Sequence, residues 1–183
     1  KQPIPELEQY STPPDIAFEI IKKVNSAGNL SGKIVDLGCG TGRLSIAAAL
    51  LGANITGFEI DEEALNIAKE YSRKNKLEIT WINQAIEGIE DLFDTVIMNP
   101  PFGSQRPGAD KIFLEKAMNI ATHIWTIHLS ETRKFIEKIV DKNNCEIVEL
   151  YEFDYPLKNT MAFHTKDTKL ENAILYHIAS LPK

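Results

Sequence analysis

The chain has 183 residues, 43% of them hydrophobic and 25% charged, proportions that suit one soluble domain with a full core. No stretch approaches the roughly 20 apolar residues of a membrane span, and no secretory leader is visible, so a cytoplasmic protein is expected. The net charge of −6 argues against unaided nucleic-acid binding, for which a basic face is the usual footprint.

The chain starts at Lys1, which points to a beginning inside a longer natural protein. Residues 1–14 carry Pro3, Pro5, Pro13 and Pro14 and read as an irregular arm. A helix follows, with Asp15 as its cap or Pro14 in its first turn. Ile16, Ile20, Ile21 and Val24 recur at helical spacing, and Gly28 supplies the stop. Residues 33–37 form a short strand, which Gly38-Cys39-Gly40-Thr41-Gly42 turns into a helix over 43–51. Residues 55–59 are the second strand, and Asp61 caps a helix over 62–75. The third strand spans 78–82 and the fourth 94–98. A helix over 109–121, a strand over 123–128 and a helix over 131–142 come next. Residues 145–154 and 172–179 are two last, antiparallel strands, with 156–171 a polar loop between them. Strands alternating with helices give a mostly parallel α/β sheet with helices on both faces. Such sheets bind ligands outside the carboxyl ends of their strands. The glycine turn, Glu59, the segment after Ile82 and the segment after Met98 all lie at such ends. Cys39 and Cys145 are far apart and have no partners at metal-ligand spacing, which fits a reducing compartment and no metal site.

The last of those segments is the most informative. Thr95-Val96-Ile97-Met98 reads as a buried strand that stops at Asn99-Pro100-Pro101-Phe102. Proline fixes its own φ and pushes the residue before it into extended backbone. Asn99 and Pro100 can therefore present a side-chain carbonyl and a backbone carbonyl side by side, next to the flat ring of Phe102. Two aimed acceptors beside a ring suit a planar group that carries an NH2. The glycine turn lets backbone approach a ligand closely, and Glu59 can accept hydrogen bonds from the two hydroxyls of a ribose. Together they fit a cofactor that bears a nucleoside. The spacing is neither the Gly-x-Gly-x-x-Gly dinucleotide fingerprint nor a P-loop, whose lysine is missing.

Asp36-Leu37-Gly38-Cys39-Gly40-Thr41-Gly42 resembles the first motif of the Rossmann-like, class I S-adenosylmethionine-dependent methyltransferases. Asn99-Pro100-Pro101-Phe102 resembles the motif of those that methylate an exocyclic or amide nitrogen. With Leu7-Glu8-Gln9-Tyr10-Ser11-Thr12-Pro13, Gly57-Phe58-Glu59-Ile60-Asp61 and Phe163-His164, the chain resembles the METTL5-like methyltransferases. These act on N6 of an adenosine in small-subunit ribosomal RNA. The resemblance implies a seven-stranded sheet with an antiparallel last hairpin and a single methyltransferase domain over 1–183. It also implies that Gln9, Tyr10 and Thr12 of the arm close over S-adenosylmethionine. Asp36, Gly38, Gly40, Thr41 and Arg43 would cradle its methionine part, and Glu59 with Ile60 would hold the ribose. Ala85 and Ile86 would meet the adenine, with Asn99 reaching the cofactor as well. Ala85 stands where such enzymes usually have an aspartate, so backbone groups of Ala85 and Ile86, or the side chains of Asn83 or Gln84, would take over that contact.

On this reading Asn99, Pro100, Pro101 and Phe102 carry the chemistry, and Phe102, Phe163, His164 and Lys166 meet the substrate. The loops 104–110 and 156–171, with Arg106, Lys111, Lys158 and Lys169, would grip RNA. His123 and His128 are expected to be structural, and Trp81 and Trp125 to belong to the core or an interface. The alternatives are a protein glutamine N-methyltransferase using the same Asn-Pro-Pro site, a DNA adenine methyltransferase, and a non-catalytic module that keeps the cofactor fold. The acidic net charge and the third strand, expected at a sheet edge, go with a further implication of the resemblance. That is a small zinc-binding activator of the Trm112 type, paired with this edge.

Overall fold

The computed structural model describes residues 12–102, 108–158 and 168–181. Helix α1 spans Pro14–Ser26 and buries Ala17, Ile20, Ile21 and Val24. Pro13 takes the cap position and Pro14 the first turn, with no side chain capping the helix. Asp15 thus favours this end through its charge alone. The order then runs β1 (Ile34–Leu37), α2 (Arg43–Leu50), β2 (Ile55–Glu59), α3 (Glu62–Lys74) and β3 (Thr80–Asn83). A 3-10 turn at Ile86–Gly88 leads to β4 (Phe93–Met98) and α4 (Ala109–Ile120). The chain ends with β5 (Ala121–Leu129), α5 (Arg133–Lys142), β6 (Cys145–Lys158) and β7 (Thr168–Ser180).

These strands form one seven-stranded sheet in the order β3-β2-β1-β4-β5-β7-β6. β1 to β5 are parallel, and the last two run antiparallel. The expected α/β architecture with its antiparallel hairpin is therefore present, and β3 lies at an edge as expected. β1 is buried along its whole length, as a central parallel strand covered on both faces must be. On one face α4 and α5 pack Leu114, Ala117, Ile136 and Val140 against Val35, Val96, Met98 and Ile124. On the other, α1 and α2 pack Ile21, Val24, Leu44 and Ala48 against Ile34, Ile55, Ile97 and Trp125. Trp125 is a core residue whose Nε1–H donates to Asn29 Oδ1 at 3.0 Å. His128 is buried and held neutral, its pKa lowered to about 3 by that burial, which agrees with a structural role. No helix among the described residues is long and apolar enough to cross a membrane.

The hairpin departs from the sequence expectation. Residues 156–171 are not one polar loop: β6 and β7 pair as far as Lys158↔Thr168, well past the last β5 pair, Leu129↔Ala173. Alternation through Tyr151, Phe153 and Tyr155 continues the strand. Pro156 does not end it, because β6 is an edge strand with one side free of ladder bonds. The extra pairs form a two-stranded ribbon beyond the carboxyl end of β5, on the edge of the sheet where ligands bind.

Candidate active site

The parallel strands deliver their carboxyl ends to one edge, in register: Leu37 lies beside Phe58, Glu59 beside Asn83, and Met98 beside Thr126. The glycine turn leaves β1 there. Gly38, Gly40 and Gly42 all take positive φ, at 67°, 54° and 81°. At Gly42 two constraints coincide, because a Cβ there would also stand 2.6 Å from the Trp81 ring and 3.0 Å from Ala68 Cβ. Trp81 accounts for Gly57 too, whose Cβ would meet the same ring at 2.6 Å. The half-buried Trp81 is thus a packing residue, and its Nε1–H donates to Ser72 Oγ at 3.0 Å. Gly40 differs: nothing lies within 4 Å of where its Cβ would stand, so the turn opens there.

Glu59 is the centre of this half of the site. It is buried, yet both its oxygens are engaged: the Gly40 N–H donates to Oε2 at 2.7 Å and the Asp61 N–H to Oε1 at 2.9 Å. The carboxylate fixes the glycine turn and the start of α3 in one geometry, and each oxygen keeps a lone pair for a further donor. Asp61 caps α3 as expected, accepting from the Glu63 N–H at 2.9 Å. Ile60, directly after Glu59, is 59% exposed and offers an apolar face beside the carboxylate. Thr41 is half-buried, and Arg43 is exposed on the first turn of α2.

Asp36 sits beneath the turn. It is 1% exposed, and its Oδ2 accepts from the Ser45 N–H at 3.1 Å and the Ser45 hydroxyl at 2.7 Å. It therefore ties β1 to the first turn of α2. Burial raises its pKa to about 7, against the lowering effect of the Ser45 bonds, and the nearby Glu59 charge adds to the rise. Burial likewise pushes the Cys39 thiol far up, so it stays protonated behind the turn.

After β3, the Asn83 amide donates to the carbonyls of Glu59 and Ile60 at 2.9 and 3.0 Å. Its NH2 is thereby spent on positioning the end of β2. Gln84 lies against Gly88, and Ala85 is extended ahead of the 3-10 turn with Ile86 buried. The carbonyls of Ala85 and Ile86 accept from the Gly88 and Ile89 N–H groups at 3.3 and 3.2 Å.

Asn99 lies across the crevice at the end of β4. Its Nδ2 donates to Thr12 Oγ1 at 3.0 Å and to the Tyr155 hydroxyl at 2.9 Å. Its Oδ1 is buried and has no hydrogen-bond partner among the described residues. Pro100 is buried, and Pro101 and Phe102 are half-buried. The Phe102 ring meets Tyr155 edge-on, 5.9 Å between centroids. Thr12, expected over the cofactor, bonds to the side chain of Asn99. Tyr155 was missed by sequence reasoning; the signal that finds it is the every-second aromatic run Tyr151, Phe153, Tyr155. Ser45 was missed as well. Gln9, Tyr10, Phe163, His164 and Lys166 lie outside the described residues, as does Arg106. Among the described residues no group of three or more His, Cys, Asp and Glu side chains could hold a metal ion.

An open glycine turn, a buried carboxylate with lone pairs to spare and an exposed apolar side chain beside it suit a nucleoside cofactor. The residues present fit S-adenosylmethionine, and an orphaned amide oxygen opposite them suits an acceptor that carries N–H groups. A methyltransferase of the Rossmann-like class is what this combination defines. Residues 15–128 match the family model for the methyltransferase small domain. The chain is 36% identical to the rRNA N6-adenosine-methyltransferase Mettl5 of Drosophila melanogaster, over 92% of this chain and 84% of the relative. It is 37% identical to the METTL5 enzyme of Danio rerio, over 87% and 82%. A crystal structure from Pyrococcus horikoshii, provisionally described as an RNA methyltransferase, superposes with a TM-score of 0.93 at 34% identity, covering 100% of this chain and 91% of that one. The chain belongs to the METTL5-like branch of the methyltransferase small-domain family, a family of S-adenosylmethionine-dependent enzymes.

Proposed function

We propose that the protein methylates the exocyclic N6 amine of an adenosine in RNA, with small-subunit ribosomal RNA as substrate. The observation that carries this reading is the buried Oδ1 of Asn99, which has no partner among the described residues. A buried carbonyl without a partner costs about 1–3 kcal/mol, and an incoming N–H relieves that cost. The names of the METTL5 relatives supply the substrate class.

The amine of adenine is a weak nucleophile because its lone pair is delocalised into the ring. It needs no strong base, only a geometry. Asn99 Oδ1 accepts one N–H and the Pro100 carbonyl the other, which turns the lone pair out of the ring plane. Phe102 stacks on the base and holds it in that orientation. Bound S-adenosylmethionine supplies an electrophilic methyl group. Positioning of this kind is worth roughly 7–11 kcal/mol when reacting groups are well oriented. The methylated amine is acidic and gives its proton to solvent. A base entering this pocket leaves its stack at a cost of a few kcal/mol. The ribbon formed by the ends of β6 and β7 stands beside the pocket, where it can support the RNA around the extruded base. Phe163, His164 and Lys166 lie outside the described residues, and their proposed role is contact with the same RNA.

Transfer of labelled methyl to RNA, DNA and protein, followed by nucleoside analysis, tests the reading. N6-methyladenosine in ribosomal RNA is expected; label confined to glutamine amides of protein would overturn it.

The same reading includes a Trm112-like partner on β3. Support comes from the edge position of this four-residue strand, with Trp81 and Ile82 half-buried, and from a net charge of −6. Exposed strand edges are commonly covered. Co-expression with a Trm112-like protein should yield a complex on size exclusion and raise RNA methylation. A fully active monomer that gains nothing from the partner would remove this part. The buried, unpaired state of Cys39 and Cys145 agrees with a reducing, cytoplasmic setting.

A further inference from the structure

We infer that Thr12 and Tyr155 are positioning residues that lock the Asn99 side-chain amide with its carbonyl toward the substrate. The kinetic part of this inference rests on the amine-methylation reading; the structural part does not. An asparagine amide is nearly symmetric in shape. Rotated by half a turn, it would fill the same space and present NH2 where an acceptor is needed. A donor facing the N–H groups of an amine opposes the reaction, so orientation decides whether Asn99 helps or hinders. Proline fixes the backbone that carries Asn99, but leaves this last torsion free.

The hydrogen count settles it. Asn99 bonds to both hydroxyls, at 3.0 and 2.9 Å, and the Tyr155 hydroxyl is also bonded to Thr12. Three groups thus form a closed triangle with three edges, and each edge needs one proton. With NH2 inward, the amide supplies two protons and one hydroxyl supplies the third, leaving the second hydroxyl proton over. With the carbonyl inward, the two hydroxyls hold only two protons for three edges, and one buried contact goes unmade. A buried contact left unmade disfavours that orientation and keeps the amide in the other. Thr12 is 5% exposed and Tyr155 is fully buried, so water is kept from filling the gap.

The lock joins segments far apart in the chain. Thr12 stands where the N-terminal arm meets α1, and Tyr155 stands at the root of the β6–β7 ribbon. The arm and the ribbon therefore each contribute one hydroxyl to the orientation of the same amide. Tyr155 also contributes its ring, which meets Phe102 at 5.9 Å and Phe153 at 6.1 Å. Tyr155→Phe keeps that ring packing and removes only the hydroxyl, and Thr12→Val keeps the shape of threonine.

Two measurements test the lock. In the first, the side-chain amide signals of Asn99 are followed by nitrogen-15 NMR in the full chain, assigned by their loss in Asn99→Asp. Slowly exchanging, shifted amide protons are expected in the wild type, and changed signals in Tyr155→Phe and Thr12→Val. Signals identical in all three proteins would overturn the inference, whatever the activity. In the second, Tyr155→Phe should lower kcat about tenfold, the scale of one hydrogen bond, with KM for RNA little changed. The same change made in Asn99→Asp should cost much less, because a carboxylate presents an oxygen in either orientation. An equal loss in both backgrounds would show that the hydroxyl serves packing alone and would overturn the lock. Moved amide signals in a wild type that methylates no RNA would sustain the lock while removing the proposed substrate.

Discussion

The two sides of the crevice are built on opposite plans. On the cofactor side the buried polar side chains among the described residues already have their bonds, and the partners are close in sequence. Glu59 reaches Gly40 and Asp61 across 19 and 2 residues, and Asp36 reaches Ser45 across 9. On the acceptor side Asn99 reaches Tyr155 and Thr12 across 56 and 87 residues, and one buried oxygen stays unpaired. Among the described residues folding satisfies the first side by itself, and in the proposed reaction the substrate completes the second. On the proposed function, binding energy then acts differently on the two sides: one is preformed for the cofactor, and the other gains its bond from an incoming N–H.

The largest effect expected is on the settled side, and it concerns stability. Burial raises the Asp36 carboxyl from 3.8 to about 7. The native chain therefore keeps a proton there that the unfolded chain releases. The stabilising contribution is complete below about pH 4 and is lost as pH rises through about 7. Asp36→Asn does not titrate. Relative to that variant, the wild type should weaken between pH 4 and 7 by up to about 4 kcal/mol. Urea unfolding of both proteins at pH 4.5 and 7.5 measures the difference. A gap independent of pH would mean that the Ser45 bonds outweigh burial and that Asp36 is charged throughout.

On the open side, Asn99→Ala should lower the rate of methyl transfer by about 10²–10³, or about 2.7–4 kcal/mol, the usual cost of one transition-state hydrogen bond. Its affinity for S-adenosylmethionine should change little, while its melting temperature should fall, because the substitution also removes the Nδ2 that donates to Thr12 and Tyr155. Single-turnover kinetics beside thermal melting separates the two. Turnover close to wild type would break the comparison, since the unpaired oxygen would then serve nothing.

The settled side was also the legible one. The glycine turn, Glu59 at a strand end and Asp61 as a cap are local patterns, so the residues that need each other stand near each other in the chain. The order of helices and strands followed from hydrophobic period, and with it the edge position of β3. Asn99 was legible because proline on its carboxyl side announces a rigid, extended backbone. Its partners were not. Tyr155 reaches Asn99 only through the β6–β7 register, and Pro156 imitates the end of a strand until β6 is known to be an edge. For Thr12 the resemblance implies a cofactor lid, and nothing in the arm's sequence reports its bond to Asn99. Asp36 is expected among the cofactor's contacts because its motif is, and the bond of its Oδ2 to Ser45 is not visible in that motif.

The smallest effect separates two roles that coincide in one residue. Glu59 holds the glycine turn and also stands where the ribose would bind, so a loss of cofactor affinity alone would not say which role mattered. Glu59→Ala removes both. The loss of a hydrogen bond to a charged acceptor is worth about 1.5–3 kcal/mol, so affinity for S-adenosylmethionine should fall tenfold or more. Glu59→Gln separates the roles. Its single oxygen can still accept from the Gly40 or the Asp61 N–H, but its NH2 must face the other N–H. The turn is then half held, while a ribose hydroxyl meets a neutral amide in place of a carboxylate. If Glu59 binds the ribose, calorimetry should place the affinity of Glu59→Gln between that of the wild type and that of Glu59→Ala. Adenosine, which carries the ribose without the methionine part, should lose affinity by the same factor. If Glu59 only shapes the turn, the methionine side of the cofactor suffers and adenosine binds all three proteins alike. The second result would leave the cofactor side preformed but would move the ribose contact elsewhere on it, with the Asn83 side-chain carbonyl the next acceptor along the strand ends.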